Sequence, residues 1–102
     1  MSDETVRTRS SAVFGNRYVA DVVAAIVGLA AEPEIGVTVR MIAQRAGLTD
    51  NLVRPVVKRL VEAGLLVPHQ QLRPRGPSYH RVRIDLPLWQ ALEQTCRFLG
   101  NQ

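Results

Sequence analysis

The fold of this chain is constrained most by residues 39–64, VRMIAQRAGLTDNLVRPVVKRLVEAG. The pattern predicts a short helix over residues 40–46 and a second helix over residues 50–63. Between them, Gly47 permits the positive φ of a turn that ends a helix, and Gly64 gives the second helix the same kind of end. The stretch therefore predicts two short helices joined by a tight turn.

The second of these helices has two chemically different faces. Its apolar residues recur at the spacing i, i+3, i+4 and i+7, which is typical of a buried face; they are Val53, Val56, Val57 and Leu60. The opposite side is polar and basic, and consists of Asn51, Arg54, Pro55, Lys58 and Glu62, with Arg59 at its edge. A proline inside a helix removes one N–H donor and costs about 3 kcal/mol, so we expect a late helix start or a kink near Pro55.

A long apolar helix is predicted before this pair, over residues 16–31. Asn16 is a good N-cap, and Pro33 disfavours helical geometry at the residue before it. Because Asp21 is the only charged residue from position 18 to position 31, the helix is apolar nearly all round. Such a helix is buried on more than one side. Its own chain could wrap it entirely, but we favour a second subunit on one side.

After the pair, the pattern predicts a β-hairpin and a closing helix. Residues 65–67 and 79–85 are β-prone, and the second segment alternates apolar and basic residues like a half-buried strand. Residues 69–78 between them are rich in Arg, Pro and Gly and predict a loop. A last helix is expected over residues 86–99. The fold class is therefore mainly α with a small β-hairpin, in one domain over residues 11–102 that follows a disordered arm over residues 1–10.

Positive charge is concentrated in the middle of the chain. Residues 40–83 contain nine Lys or Arg and two acidic residues, a charge of +7, whereas the remainder has four and seven, a charge of −3, which gives the net +4. A basic surface of this kind favours a polyanionic partner. We expect that partner to contact the second short helix and the hairpin.

Other classes of protein are disfavoured. A single cysteine, Cys96, cannot form an internal disulfide, and the longest apolar run has ten residues against the ~20 that span a bilayer. We therefore expect a cytoplasmic protein with no membrane partner. One Cys and two His are too few for a metal site of about four donors. Without a phosphate-binding glycine loop or a paired-carboxylate site, we predict no cofactor and no enzymatic activity.

The order of elements resembles a winged helix-turn-helix with an additional C-terminal helix. Ala43, Gly47, Val53 and Val56 match the small residue, turn glycine and apolar anchors of helix-turn-helix sequences. The run VKRLVEAGLLV is similar to the end of the recognition helix and the first wing strand of bacterial ArsR- and MarR-type repressors. Phe14-Gly15-Asn16 resembles the start of the first helix of ArsR-like domains. The resemblance covers about residues 12–85.

This resemblance implies a homodimeric transcriptional regulator, a repressor in type, that binds double-stranded DNA at an inverted-repeat operator. Helix 50–63 would lie in the major groove and the wing, residues 69–83, on flanking DNA. Any small-molecule or protein effector would act in the dimer interface or by competition. The alternative is a winged helix that serves as a protein–protein interaction module in a larger assembly, whose docking face would expose apolar residues. Binding of RNA or single strands ranks last, because Tyr79 is the one candidate for stacking near the wing.

Three groups of site residues follow. The candidates for the major groove, where arginine can bond guanine O6 and N7, are Asn51, Arg54, Lys58 and Arg59. For Asn51 we favour the alternative role of a helix cap. The candidates for the DNA backbone are Arg40, Arg45, Arg73, Arg75, Arg81 and Arg83. The candidates for the dimer interface, on the first helix and the C-terminal dimerisation helix, are Tyr18, Val22, Ile26, Leu88, Trp89, Leu92 and Leu99.

Overall fold

The computed structural model describes residues 3–30, 36–68 and 79–100. In chain order, these residues form the helices α1 (Asp3–Phe14), α2 (Val19–Leu29), α3 (Val39–Ala46) and α4 (Asp50–Glu62), the strands β1 (Leu66–Pro68) and β2 (His80–Val82), and the helix α5 (Pro87–Gly100). The protein is mainly helical with a small antiparallel sheet, which confirms the predicted fold class at that level.

Helix α2 lies at the centre of the fold. It contacts all four other helices, and Val22 and Ile26 at its middle are fully buried. The prediction that a second subunit covers these two side chains is wrong, because the protein's own chain covers them. The helix begins at Val19 and not at Asn16. The Asn16 Oδ1 instead accepts a hydrogen bond from the Tyr18 N–H at 2.8 Å, in the turn before the helix.

The N-terminal segment is a helix where a disordered arm was predicted. Helix α1 packs on α2 and α5, and Ser10 within it is completely buried. The Ser10 hydroxyl donates to the Asn16 carbonyl at 2.7 Å, and the Arg7 guanidinium pairs with the Asp21 carboxylate at 3.3 Å. These polar residues are ordered by particular partners, which a prediction from low hydrophobicity does not take into account.

Helices α3 and α4 confirm the two short helices predicted from residues 39–64. The Thr38 hydroxyl caps α3 by accepting a hydrogen bond from the Met41 N–H at 3.1 Å. Gly47 ends α3 with a φ of 70°. Helix α4 then begins at Asp50, and its buried residues are those of the predicted apolar face: Val53, Val56, Val57 and Leu60.

Pro55 lies inside a continuous helix. Helix α4 starts five residues before it and continues to Glu62, so the expected late start is wrong. Val53 and Val56, on either side of Pro55, are fully buried. Burial of two valine side chains contributes about 3–6 kcal/mol, which offsets the ~3 kcal/mol disadvantage of an interior proline.

The small sheet joins distant parts of the chain. Strands β1 and β2 are antiparallel, with Leu66 opposite Val82 and Pro68 opposite His80. On its other side, His80 exchanges two backbone hydrogen bonds with Val37, of 2.8 and 2.7 Å. The stretch before α3 is therefore attached to the hairpin. The predicted loop, residues 69–78, lies outside the described residues.

Helix α5 closes the core through the single tryptophan. Trp89 is 1% exposed, and its indole N–H donates to the Leu65 carbonyl at 3.0 Å. The predicted place of Trp89 in a dimer interface is therefore wrong, since the side chain belongs to the core of its own protomer. Cys96 is buried on the same helix, as predicted for a packing residue.

Within the described residues, no single helix is long and apolar enough to cross a membrane. The segments Glu4–Phe14 and Val19–Leu29 have the necessary length and composition only as a pair, and they are bent by 101° at their break. The second of them is the core helix α2, which is mostly buried.

Candidate nucleic-acid interface

The exposed side of α4 carries two basic residues one turn apart. The Arg54 side chain is 65% exposed, and Lys58 is exposed as well. The Arg54 guanidinium lies 4.0 Å from an Asp50 carboxylate oxygen. An i,i+4 pair of this kind contributes about 0.3–0.5 kcal/mol, so Arg54 can exchange this partner for an anion at little cost.

The same face lacks the apolar character of a protein-docking surface. Asn51 and Pro55, which lie near Arg54 and Lys58 on α4, are exposed. The large hydrophobic side chains that are exposed in the described part of the chain are Val13, Tyr79, Ile84, Leu88 and Phe98, none of which is on α4. The exposed face of α4 is therefore polar and basic.

Asn51 does not have the capping role that we favoured from the sequence. The N-cap of α4 is Thr49, and no side-chain hydrogen bond caps the helix. Asn51 is the second residue of α4 and is exposed. Its amide therefore lies on the helix surface, where an external partner can reach it.

Arg59 is held by another part of the protein. Its guanidinium donates to the Phe14 carbonyl at 2.6 Å, at the end of α1. The last carbonyls of a helix lack partners within the helix, and a cation is favourable there. Arg59 is exposed, but this bond holds its guanidinium at the end of α1, so Arg54 and Lys58 are better candidates for the major groove.

The two residues of α3 that were predicted to contact the DNA backbone differ in their surroundings. Arg40, near the start of α3, is exposed. Arg45 is also exposed, but its guanidinium lies against Gly28 of α2 so closely that any Cβ at that position would overlap it. Arg45 therefore helps to hold α3 on α2, whereas Arg40 is the better candidate for an anion.

The arginines of the hairpin that were predicted to contact the DNA backbone also differ in their partners. Arg81 on β2 is exposed. Arg83 forms two hydrogen bonds of 3.2 Å with the Asp85 carboxylate, and these bonds hold the pKa of Asp85 below its ordinary value. Arg73 and Arg75, at the predicted tip of the wing, lie outside the described residues.

Two of the five large apolar side chains exposed in the described residues lie on one side of α5. Leu88 is 52% exposed and Phe98 is 67% exposed. With Ala91 and Thr95, which are also exposed, they recur every three or four residues and form what we call the α5 face. Of the other predicted dimer residues, Tyr18, Leu92 and Leu99 are half-buried. Phe98 was missed in the sequence, although its spacing from Leu88 was a signal for it.

Comparison with known proteins identifies no family for this chain. No protein-family model matches the chain, and no curated protein matches its sequence. Among the described residues, no three His, Cys, Asp or Glu side chains are grouped so that they could hold a metal ion. The function must therefore be argued from the exposed side chains described above.

Proposed function

We propose that the protein is a sequence-specific regulator of transcription that binds double-stranded DNA through α4, in the manner of a winged helix-turn-helix. The observation that carries the proposal is the two-sided character of α4. One side holds the core through four buried aliphatic residues, while the other exposes Arg54 and Lys58 with no large exposed apolar side chain. A helix that is anchored on one side and basic on the other is suited to enter the major groove.

The dimensions and chemistry of α4 support this use. Its 13 residues make a helix about 20 Å long, and the major groove, about 12 Å wide, admits an α-helix. Arg54 would bond guanine O6 and N7, and Asn51 would bond adenine N6 and N7. Lys58 would bond a base or a phosphate, while Arg40 and Arg81 would bind phosphates on the two sides of the groove.

The proposed regulator is a homodimer that contacts its second copy through the α5 face. The same apolar patch on two copies is what a two-fold interface requires. Two copies of α4 would then meet two half-sites about 34 Å apart, which predicts an inverted-repeat operator. A repressor in the cytoplasm, without cofactor or catalytic role, belongs to the same proposal.

Selection of bound sequences from a random DNA pool, followed by binding titrations at 50 and 200 mM salt, tests the proposal. With ~6–10 phosphate contacts, affinity should fall about 10³–10⁵-fold between these salt concentrations. Arg54→Ala should lower affinity about 5–150-fold and relax the preference at one base position. Lys58→Ala should also lower the affinity for DNA. If Lys58 contacts a phosphate, the loss should be nearly equal for all sequences, and the dependence of affinity on salt concentration should become less steep.

The matched control is Arg97→Ala. Arg97 is an exposed arginine with an i,i+4 carboxylate partner, as Arg54 is, but it lies on α5. Its removal should leave DNA binding unchanged. Salt-independent binding, or equal effects of the Arg54 and Arg97 substitutions, would overturn the proposal.

A second candidate function is favoured by the α5 face, with its exposed Leu88 and Phe98. Beside Leu88 is an apolar groove of about 240 Å³, lined by residues of α1, α2, α4 and α5. If the chain binds no DNA and sediments as a monomer, this face is better explained as the docking surface of a winged-helix interaction module.

A further inference from the structure

A second concave region lies away from the exposed face of α4. Helices α1, α2 and α5 enclose a pocket of about 440 Å³ within one protomer. Sites for small molecules have volumes of about 300–1,000 Å³ and are mostly apolar with a few polar groups. The pocket meets both conditions, and none of the proposed DNA contacts uses it.

The space exists because α2 presents short side chains to it. Ala20, Ala24 and Gly28 follow one another at intervals of four residues, so they lie on one side of the helix. Val6 of α1 and Val27 of α2 provide aliphatic walls. An apolar chain placed here would cover aliphatic surface that the protein leaves open.

Charge in the pocket is distributed unevenly. The Asp21 and Glu93 side chains that line it are 18% and 27% exposed, so both carboxylates are largely withdrawn from solvent. Arg97, which pairs with Glu93, has a side chain that is 70% exposed. In the Glu93–Arg97 pair the carboxylate therefore lies inward and the guanidinium outward, whereas Asp21 and its partner Arg7 are buried to a similar degree, with side chains 18% and 25% exposed.

The Cys96 thiol also lines the pocket. Burial, with a smaller contribution from the Glu93 carboxylate, raises the pKa of Cys96 to about 11. Glu93 is therefore the carboxylate of the pocket that a cationic ligand can reach, whereas the Arg45 guanidinium lies beside Gly28.

We propose that this pocket binds a small aliphatic amine in its ammonium form. The alkyl chain lies along Ala24 and Val27, and the ammonium group donates to the Glu93 carboxylate. Arg97 is the group that must move, and it can do so easily because an ion pair with so exposed an arginine is weak. Asp21 keeps its own pair with Arg7.

Titration with three probes of equal chain length tests the proposal on the intact chain. Amide chemical shifts are followed with hexylamine, hexan-1-ol and hexanoate at neutral pH. We expect saturable shifts for residues of α2 and α5 around the pocket, with hexylamine binding at least fivefold more tightly than hexanol, and hexanoate most weakly. Equal affinity for the three probes, or shifts that do not saturate, would overturn the proposal.

Two substitutions at the rim of the pocket should change the affinity for hexylamine in opposite directions. Glu93→Gln should weaken hexylamine binding about tenfold and leave hexanol binding unchanged. Arg97→Gln removes the competing cation and should strengthen hexylamine binding severalfold. If Arg97→Gln weakens hexylamine binding as Glu93→Gln does, the ammonium group does not bind at Glu93 and the proposal fails.

The location is tested by filling the pocket. Ala24→Leu places a larger side chain in it and should abolish the binding of both hexylamine and hexanol. Ala12→Leu makes the same change at another exposed helical alanine, on α1 and outside the pocket, and is the control for stability. Equal binding by the two variants would contradict the site. Because no DNA is present, these results are independent of the proposed DNA-binding function.

Discussion

The guanidinium of Arg59 on α4 is hydrogen-bonded to the carbonyl of Phe14, the last residue of α1. The two residues are 45 positions apart in the chain. The bond ties the N-terminal helix to the helix that we propose reads DNA. It also engages one of the three exposed basic residues of α4.

Replacement of Arg59 by alanine should lower stability more than DNA affinity. A cation hydrogen-bonded at a helix end contributes about 1 kcal/mol, and for a domain of this size that is a decrease in Tm of about 4–8 °C. Thermal unfolding measures the effect. Lys58→Ala, one position away, should leave Tm nearly unchanged. If Arg59→Ala weakens DNA binding as strongly as Lys58→Ala and leaves Tm unchanged, the side chain contacts DNA instead.

Replacement of Pro55 by alanine should stabilise the protein. Alanine restores an N–H that can bond to the Asn51 carbonyl one turn earlier and relieves the contact of the proline ring with that turn. After subtraction of the entropy that alanine adds to the unfolded chain, we expect a gain of about 1–2 kcal/mol in urea denaturation. Pro87→Ala is the control, because Pro87 is the first residue of α5, where proline is favourable. A neutral or negative result at position 55 would show that α4 is already adapted to its proline.

Replacement of Phe98 by glutamate should dissociate the proposed dimer without unfolding the protomer. The Phe98 side chain is 67% exposed, so its loss should change the free energy of unfolding by less than about 0.5 kcal/mol. In the interface, a charge would face the same charge on the second copy. Sedimentation measures the mass. Gln94→Glu adds the same charge at another exposed position of α5 and should leave the mass unchanged; a Phe98→Glu variant that sediments like the unmodified chain would place the interface elsewhere.

Replacement of Trp89 by phenylalanine should lower the free energy of unfolding by about 2–3 kcal/mol. The substitution loses the hydrogen bond to Leu65, which contributes about 1 kcal/mol, and leaves a small cavity in the core. The Leu65 carbonyl keeps its second donor, the Arg83 N–H at 3.0 Å. Circular dichroism in urea is the suitable measurement, since the protein has one tryptophan and the substitution removes its fluorescence. Leu88→Ala, at the exposed neighbouring position, should lower stability by less; the reverse order would contradict the assignment of Trp89 to the core.

Stability should fall as the pH rises from about 9 to 11, because the pKa of the Cys96 thiol is raised from 9.0 to about 11 in the folded protein. Below pH 9 the thiol is protonated in both states and has no effect. Between the two values the unfolded chain loses the proton and the folded chain keeps it, so rising pH favours unfolding. Urea denaturation at several pH values, with Cys96→Ala as the control, measures the difference. Identical pH profiles in this interval would contradict a raised thiol pKa.

The helices α3 and α4 could be predicted from the sequence because their signals are local. The turn at Gly47, the cap of α3 by Thr38 and the spacing of the buried valines on α4 all depend on residues a few positions apart. The same holds for β1 and α5, whose bounds are within one residue of those predicted, whereas β2 ends at Val82, three residues before the predicted end. The concentration of basic residues between positions 40 and 83 was likewise visible in composition.

Contacts between distant residues could not be predicted in this way. The helix α1 is stabilised by Ser10, which bonds Asn16, and by Arg7, which bonds Asp21. Neither contact follows from polarity or periodicity, and the segment was taken for a disordered arm. In the same way, periodicity indicates that Val22 and Trp89 are buried, but it does not indicate whether the same chain or a second copy covers them.

The pattern of the chain thus determined the helices, the turn at Gly47 and the chemical character of the exposed face of α4. The tertiary structure decided the partner of each cation on that face, since Arg59, which is exposed like Arg54 and Lys58, is bonded to the end of α1. The physical reason is that helix spacing is set by neighbours in sequence, whereas the partner of a long side chain is set by whichever element packs within its reach.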